Sequence, residues 1–178
     1  MVSLVARDFP THVADCLKWP GGFATIEDAY AAGLAGLRTL PALDHETFLA
    51  GDDESSRIHV FAGEDFLVAS RVHPLPDLLG AAGVALPETG VLLAVPNRHL
   101  LAVHPLTGPG VLEAAPLLVA LARGEHDGKP GPISRDVFHM LPDLSAISVG
   151  GTADDGSTRI DVRGSFHDAF GRLGLLEA

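Results

Sequence analysis

With 178 residues, the chain is long enough to bury roughly 70% of the surface its unfolded form exposes, so one self-sufficient globular domain spanning 1–178 is expected. Acidic residues number 23 against 12 basic ones; the net charge of −11 opposes phosphate backbones and anionic membrane surfaces, which argues against nucleic-acid and membrane partners. Apolar residues make up 47% and charged ones 20%, outside the low-hydrophobicity range of disordered chains, and the lone Cys16 excludes an intramolecular disulfide and a multi-thiolate metal centre. A reducing cytoplasm is therefore the expected location. Met1 to Asp8 shows no basic stretch followed by a long apolar one, and no apolar run approaches the ~18 residues of a membrane span. Glycine and proline, 20 and 13 residues, predict many turns and short elements.

In chain order, Val2 to Leu17 mixes helix formers with Pro10 and spaces Val13, Cys16 and Leu17 at i, i+3, i+4, which predicts a helix with Cys16 as a small core residue. Trp19-Pro20-Gly21-Gly22 ends it, because the residue before proline disfavours the α region. Thr25 then reads as an N-cap with Asp28 three residues on, opening a helix whose stripe runs through Ile26, Ala29, Tyr30, Leu34 and Leu37. At Arg57 the period changes to two: Arg57 to Phe61 and Phe66 to Val72, joined by Gly63-Glu64-Asp65, read as a β-hairpin. A short helix follows over Pro74 to Gly83.

Gly90 to Val95 and His99 to His104, around a turn at Pro96-Asn97-Arg98, form the strongest hairpin; both runs are so apolar that they are expected to be buried on both faces and central to a sheet. Val111 to Arg123 reads as a helix capped at Gly124, followed by a flexible polar loop over Glu125 to Pro132. Ile133 to Leu144 fits neither period. A third hairpin joins Ala146 to Val149 with Thr158 to Val162 across a long loop at Gly150 to Ser157, and Phe166, Phe170 and Leu173 mark a final helix. Hairpins interleaved with helices give the α+β class: an antiparallel sheet built from hairpins, with helices packed on one face.

Nine histidines make metal binding worth testing, but their spacings argue against it, and neither a metal nor a cofactor is expected. His99 and His104 would lie on opposite faces of a strand; His45-Glu46 has no second histidine at i+4; His126-Asp127 would sit in the flexible loop. Cys16 neighbours Asp15, which raises rather than lowers a thiol pKa, and no Gly-x-Ser-x-Gly elbow occurs. Gly150 to Gly156 lacks the lysine of a phosphate loop and the glutamate of a calcium loop, so it reads as a turn. One constellation stands out: Asn97, Arg98 and His99 project polar and cationic groups from the turn between the two most apolar strands, and Arg71 and His73 end the neighbouring hairpin. These five are the candidate ligand- or partner-binding residues.

The segment Gly90 to Pro105, with Ile58-His59-Val60-Phe61 upstream and Gly131-Pro132-Ile133-Ser134 downstream, resembles the YtpQ-like family of uncharacterised bacterial proteins, chiefly through Val95-Pro96-Asn97-Arg98. Where that family has an aspartate next, this chain has His99. The resemblance covers the middle half of the chain, implies a soluble bacterial α+β domain and supplies no catalytic residues. Two functions follow as expectations. One is a non-catalytic interaction or accessory domain whose partner is another protein or a second copy. The alternative is a small-molecule enzyme with its site near the Asn97-Arg98-His99 turn.

Overall fold

The computed structural model describes residues 6–9, 12–15, 24–65, 67–153 and 155–176. The chain divides into two compact units, Met1–Pro41 and Ala42–Ala178. In the first unit, β1 (Ala6–Phe9) and β2 (His12–Asp15) pair antiparallel, with Phe9 opposite His12. This replaces the expected helix over 2–17. Pro10 lacks the amide N–H that a helix interior requires, which weighs against a helix running through it. Cys16 and Leu17 lie outside the described residues. The Thr25 helix forms as read: α1 (Ile26–Thr39) opens with a reciprocal capping box, Asp28 N donating to Thr25 Oγ1 and Thr25 N to the Asp28 carboxylate, each at 3.1 Å.

The second unit is a seven-stranded antiparallel sheet in the order β3-β4-β6-β5-β7-β8-β9. The strands are β3 (Asp44–Leu49), β4 (Arg57–Ala62), β5 (Val91–Asn97), β6 (Leu100–Pro105), β7 (Val137–Met140), β8 (Ala146–Thr152) and β9 (Thr158–Ile160). Three helices accompany it: α2 (Leu75–Ala81), α3 (Val111–Gly128) and α4 (Gly164–Arg172). As expected, β5 and β6 lie inside the sheet, and every residue of β5 is buried. Side-chain alternation divides them between two cores. Leu92, Ala94 and Ala102 pack with Val111, Ala114 and Leu118 of α3 and Phe166 and Phe170 of α4. Val91, Leu93, Val95, Leu101 and Val103 pack with Leu75 and Leu79 of α2 and with Ala69 and Val72. Helices therefore cover both faces, not the single face expected, because strands apolar on both sides need cover on both sides.

Other expectations change for local reasons. The partner strand expected over Phe66 to Val72 is absent among the described residues. Asp65 accepts the Leu67 amide at 2.8 Å in an Asx turn, Ala69–Val72 coils into a 3-10 helix, and β4 pairs instead with β3 and β6. The β5–β6 turn is shorter than read, since β5 continues through Asn97 and leaves only Arg98 and His99 between the strands. Helix α3 runs past Gly124 to Gly128, so Glu125, His126 and Asp127 belong to its last turn. A glycine inside a helix costs only about 1 kcal/mol and does not force a stop. β8 extends to Thr152, which shortens the third hairpin's loop.

Leu93 and Leu101 are fully buried in the α2-side core. Leu93→Ala and Leu101→Ala should each lower unfolding free energy by about 2–5 kcal/mol in urea titrations. A loss below about 1 kcal/mol for both would show that the strands are not central.

Candidate functional site

The β5–β6 tip gathers three of the five candidate residues into one bonded group. Asn97 is 1% exposed instead of projecting into solvent; its Oδ1 accepts the His99 amide at 2.9 Å and its Nδ2 donates to the Glu125 carbonyl of α3 at 3.2 Å. Arg98 is exposed, with Nε donating to His99 Nε2 at 2.9 Å. His99 Nδ1 lies 3.2 Å from the Gly63 carbonyl, so the neutral ring with its proton on Nδ1 satisfies both contacts. Gly131 lies against the Arg98 stem, where a Cβ would sit 2.6 Å from Cδ and where φ is +71°. Only glycine fits there comfortably.

Arg71 lies within the 3-10 turn Ala69–Val72 and His73 directly follows it; a backbone bond from Ala69 N to the Arg98 carbonyl at 3.1 Å joins that turn to the tip. Burial pushes the His73 pKa below its ordinary value. His99 and His104 do not oppose each other across a strand: His99 is in the turn, and His104 is buried on β6 with Nδ1 2.9 Å from the Arg57 carbonyl.

A second group, on the first two strands of the sheet, was not among the candidates. All six residues of β3 are exposed, yet two of its side chains reach back to β4. The His45 ring stacks on Phe61 at 4.6 Å and its Nε2 lies 3.1 Å from His59 Nδ1; Thr47 Oγ1 accepts from Arg57 Nη1 at 3.1 Å. Arg57 also pairs with the exposed Glu54 carboxylate. His59 is 6% exposed, and burial first, then the positive charge of His45, Arg57 and His104, holds its pKa down at about 4. Strand register alone creates this group, since His45 and His59 are 14 residues apart. The register sets His45 opposite Phe61 and His59 opposite Thr47, a placement that no local sequence pattern announces.

His139 plays a structural part. His139 is fully buried, its Nδ1 2.8 Å from Ser165 Oγ and its Nε2 2.8 Å from the Thr89 carbonyl. The neutral ring therefore donates from Nε2 and accepts the Ser165 hydroxyl proton at Nδ1, tying the first turn of α4 to β7. His126 and Arg135 both hold Asp127, at 2.9 and 2.8 Å, in a surface network at the end of α3 rather than in a loop. Among the described residues, no group of three or more His, Cys, Asp or Glu is placed to hold a metal ion. No helix among them is long and apolar enough to cross a membrane. The chain matches no family model, no curated protein and no solved structure.

Burial lowers the pKa of His59, His104 and His139 alike. In the unfolded chain these rings take up protons near 6.5, whereas the folded chain keeps His59 neutral down to about 4. The unfolded state thus binds more protons below about pH 6.5, and the histidine contribution to stability is full above that value and is lost as pH falls toward about 4. Urea midpoints should decline steadily between about pH 7.5 and 5, less steeply in His59→Gln; a midpoint constant over that range would contradict the neutral buried state.

Proposed function

We propose that this chain is a non-catalytic protein-interaction domain that takes an extended basic segment of a partner protein onto β3, as an eighth strand of the seven-stranded sheet. The observation that carries this reading is β3 itself: six residues long, paired on one side only among the described residues, and exposed at every position. An open strand edge offers a row of backbone donors and acceptors, and alternating side chains give an added strand its specificity. One face of β3 presents Asp44, Glu46 and Phe48; the other presents His45, Thr47 and Leu49. Residues directly opposite on paired strands are about 5 Å apart, so Asp44 and Glu46 select Lys or Arg at alternate positions and Phe48 selects an apolar residue beyond them. The net charge of −11 steers a basic partner inward and opposes the pairing of two copies.

The tip favours this reading over an enzyme centred on Asn97, Arg98 and His99. Asn97 is buried against α3 and both His99 ring nitrogens face partners within the fold, so these groups hold the tip together.

A fluorescent peptide of about ten residues, with Lys at alternate positions and a Leu to meet Phe48, provides the test. It should bind the native chain and shift the β3 amide resonances, and the Asp44→Lys, Glu46→Lys double variant should bind at least tenfold more weakly, a difference of about 1.4 kcal/mol or more. The variant's stability should stay within about 0.5 kcal/mol of the native chain, as exposed positions allow. Equal binding by both chains, or amide shifts away from β3, would overturn the proposal.

A further inference from the structure

Beside the start of β4 and the end of β6 the surface opens into a cleft of about 240 Å³. It is smaller than the roughly 300 Å³ at which sites for drug-sized ligands begin, so its occupant is a small molecule. Its lining is divided by chemistry. Val84, Ala85 and Pro105 supply apolar wall, while Arg57 and His59, two residues apart on one face of β4, supply the basic groups and Thr107 a hydroxyl. From these walls we propose that the cleft binds a small aliphatic carboxylate, its carboxyl group held between Arg57 and His59 and its short alkyl part against Val84, Ala85 and Pro105.

Each group has the bonding capacity this requires. Arg57 presents a planar fork of donors suited to a carboxylate, and it already pairs with one, the Glu54 side chain at the cleft's rim. That side chain is 76% exposed, so a ligand carboxylate exchanges like for like with a loosely held one. His59 has Nδ1 turned to His45 Nε2. With His45 donating, the His59 proton sits on Nε2, the nitrogen left to donate to a ligand. The titratable groups facing His59 are His45 on β3, Arg57 on its own strand and His104 on β6, all basic, with the Glu54 carboxylate reaching only the rim through Arg57. A bound anion supplies the negative charge this cluster lacks and makes the His59 imidazolium easier to form.

Butyrate added to the full chain is the probe, followed through the imidazole resonances of His59 by NMR. Butyrate should cause saturable shifts with a dissociation constant below about 10 mM and raise the His59 titration midpoint by about one unit or more from about 4. Arg57→Gln should weaken binding at least tenfold, and Glu54→Gln, which removes the competing carboxylate, should strengthen it severalfold. Arg57→Lys, which keeps the charge without the fork, should fall between the native chain and Arg57→Gln and guards against a folding defect. The proposal is overturned by the absence of a saturable shift, by equal affinity in Arg57→Gln, or by inorganic phosphate binding as tightly as butyrate.

Discussion

Burial of β5 and β6 on both faces is the constraint from which the rest of this structure follows. A strand with no solvent-facing side needs hydrogen-bonded neighbours at both edges and an apolar layer above and below. β6 and β7 flank β5; α3 and α4 cover one face, α2 and the Ala69–Val72 turn the other. The approach to β5 is equally tight. Gly90 has φ +84°, and a Cβ there would lie 2.4 Å from the Met140 carbonyl, so the chain enters the centre of the sheet where only glycine can pass.

Asn97, His104 and His139 survive in this interior because each meets at least one fixed partner, although the buried Nε2 of His104 has none among the described residues. Asn97 bonds to α3, His104 to the Arg57 carbonyl, and His139 to both Ser165 and Thr89. Buried polar groups so placed fix the docking of helices on the sheet as well as its register. The same burial keeps the rings neutral, so the packing that organises the sheet also sets its acid sensitivity. Away from the centre the demand relaxes. At β3 the apolar cover is gone, and beyond its backbone ladder the strand is attached by the His45 stack on Phe61, the His45 contact with His59 and the Thr47 contact with Arg57. The Thr47 contact with Arg57 and the His45 contact with His59 both end on residues that line the β4 cleft, which places the edge strand and the cleft on one connected group of side chains.

The central elements could be read from the sequence because strong local signals agreed there with the tertiary demand. Val91 to Val95 and Leu100 to Val103 carry only apolar residues, and Thr25 with Asp28 makes a complete capping box. β3 escaped the reading because an edge strand exposed on both faces has no reason to alternate. Phe66 to Val72 reads as a strand on its apparent period of two, but the Asp65 carboxylate accepts the Leu67 amide and Ala69–Val72 coils into a 3-10 turn. Asn97 looked like a turn residue, and what buries it is Glu125, 28 positions away. The pairing of His45 with His59 depends on register between strands that the sequence separates by a loop and a 3-10 turn, so no local pattern announces it.

Hydrogen exchange of the native chain, resolved to single amides, tests the double-faced burial of β5 and β6 most directly. Amides of Leu92 to Val95 and Leu101 to Val103 should exchange only through global unfolding, with opening free energies equal to the full stability, while β3 amides that face the open edge exchange through local fluctuation. Exchange from β5 and β6 at free energies well below the global value would contradict that burial.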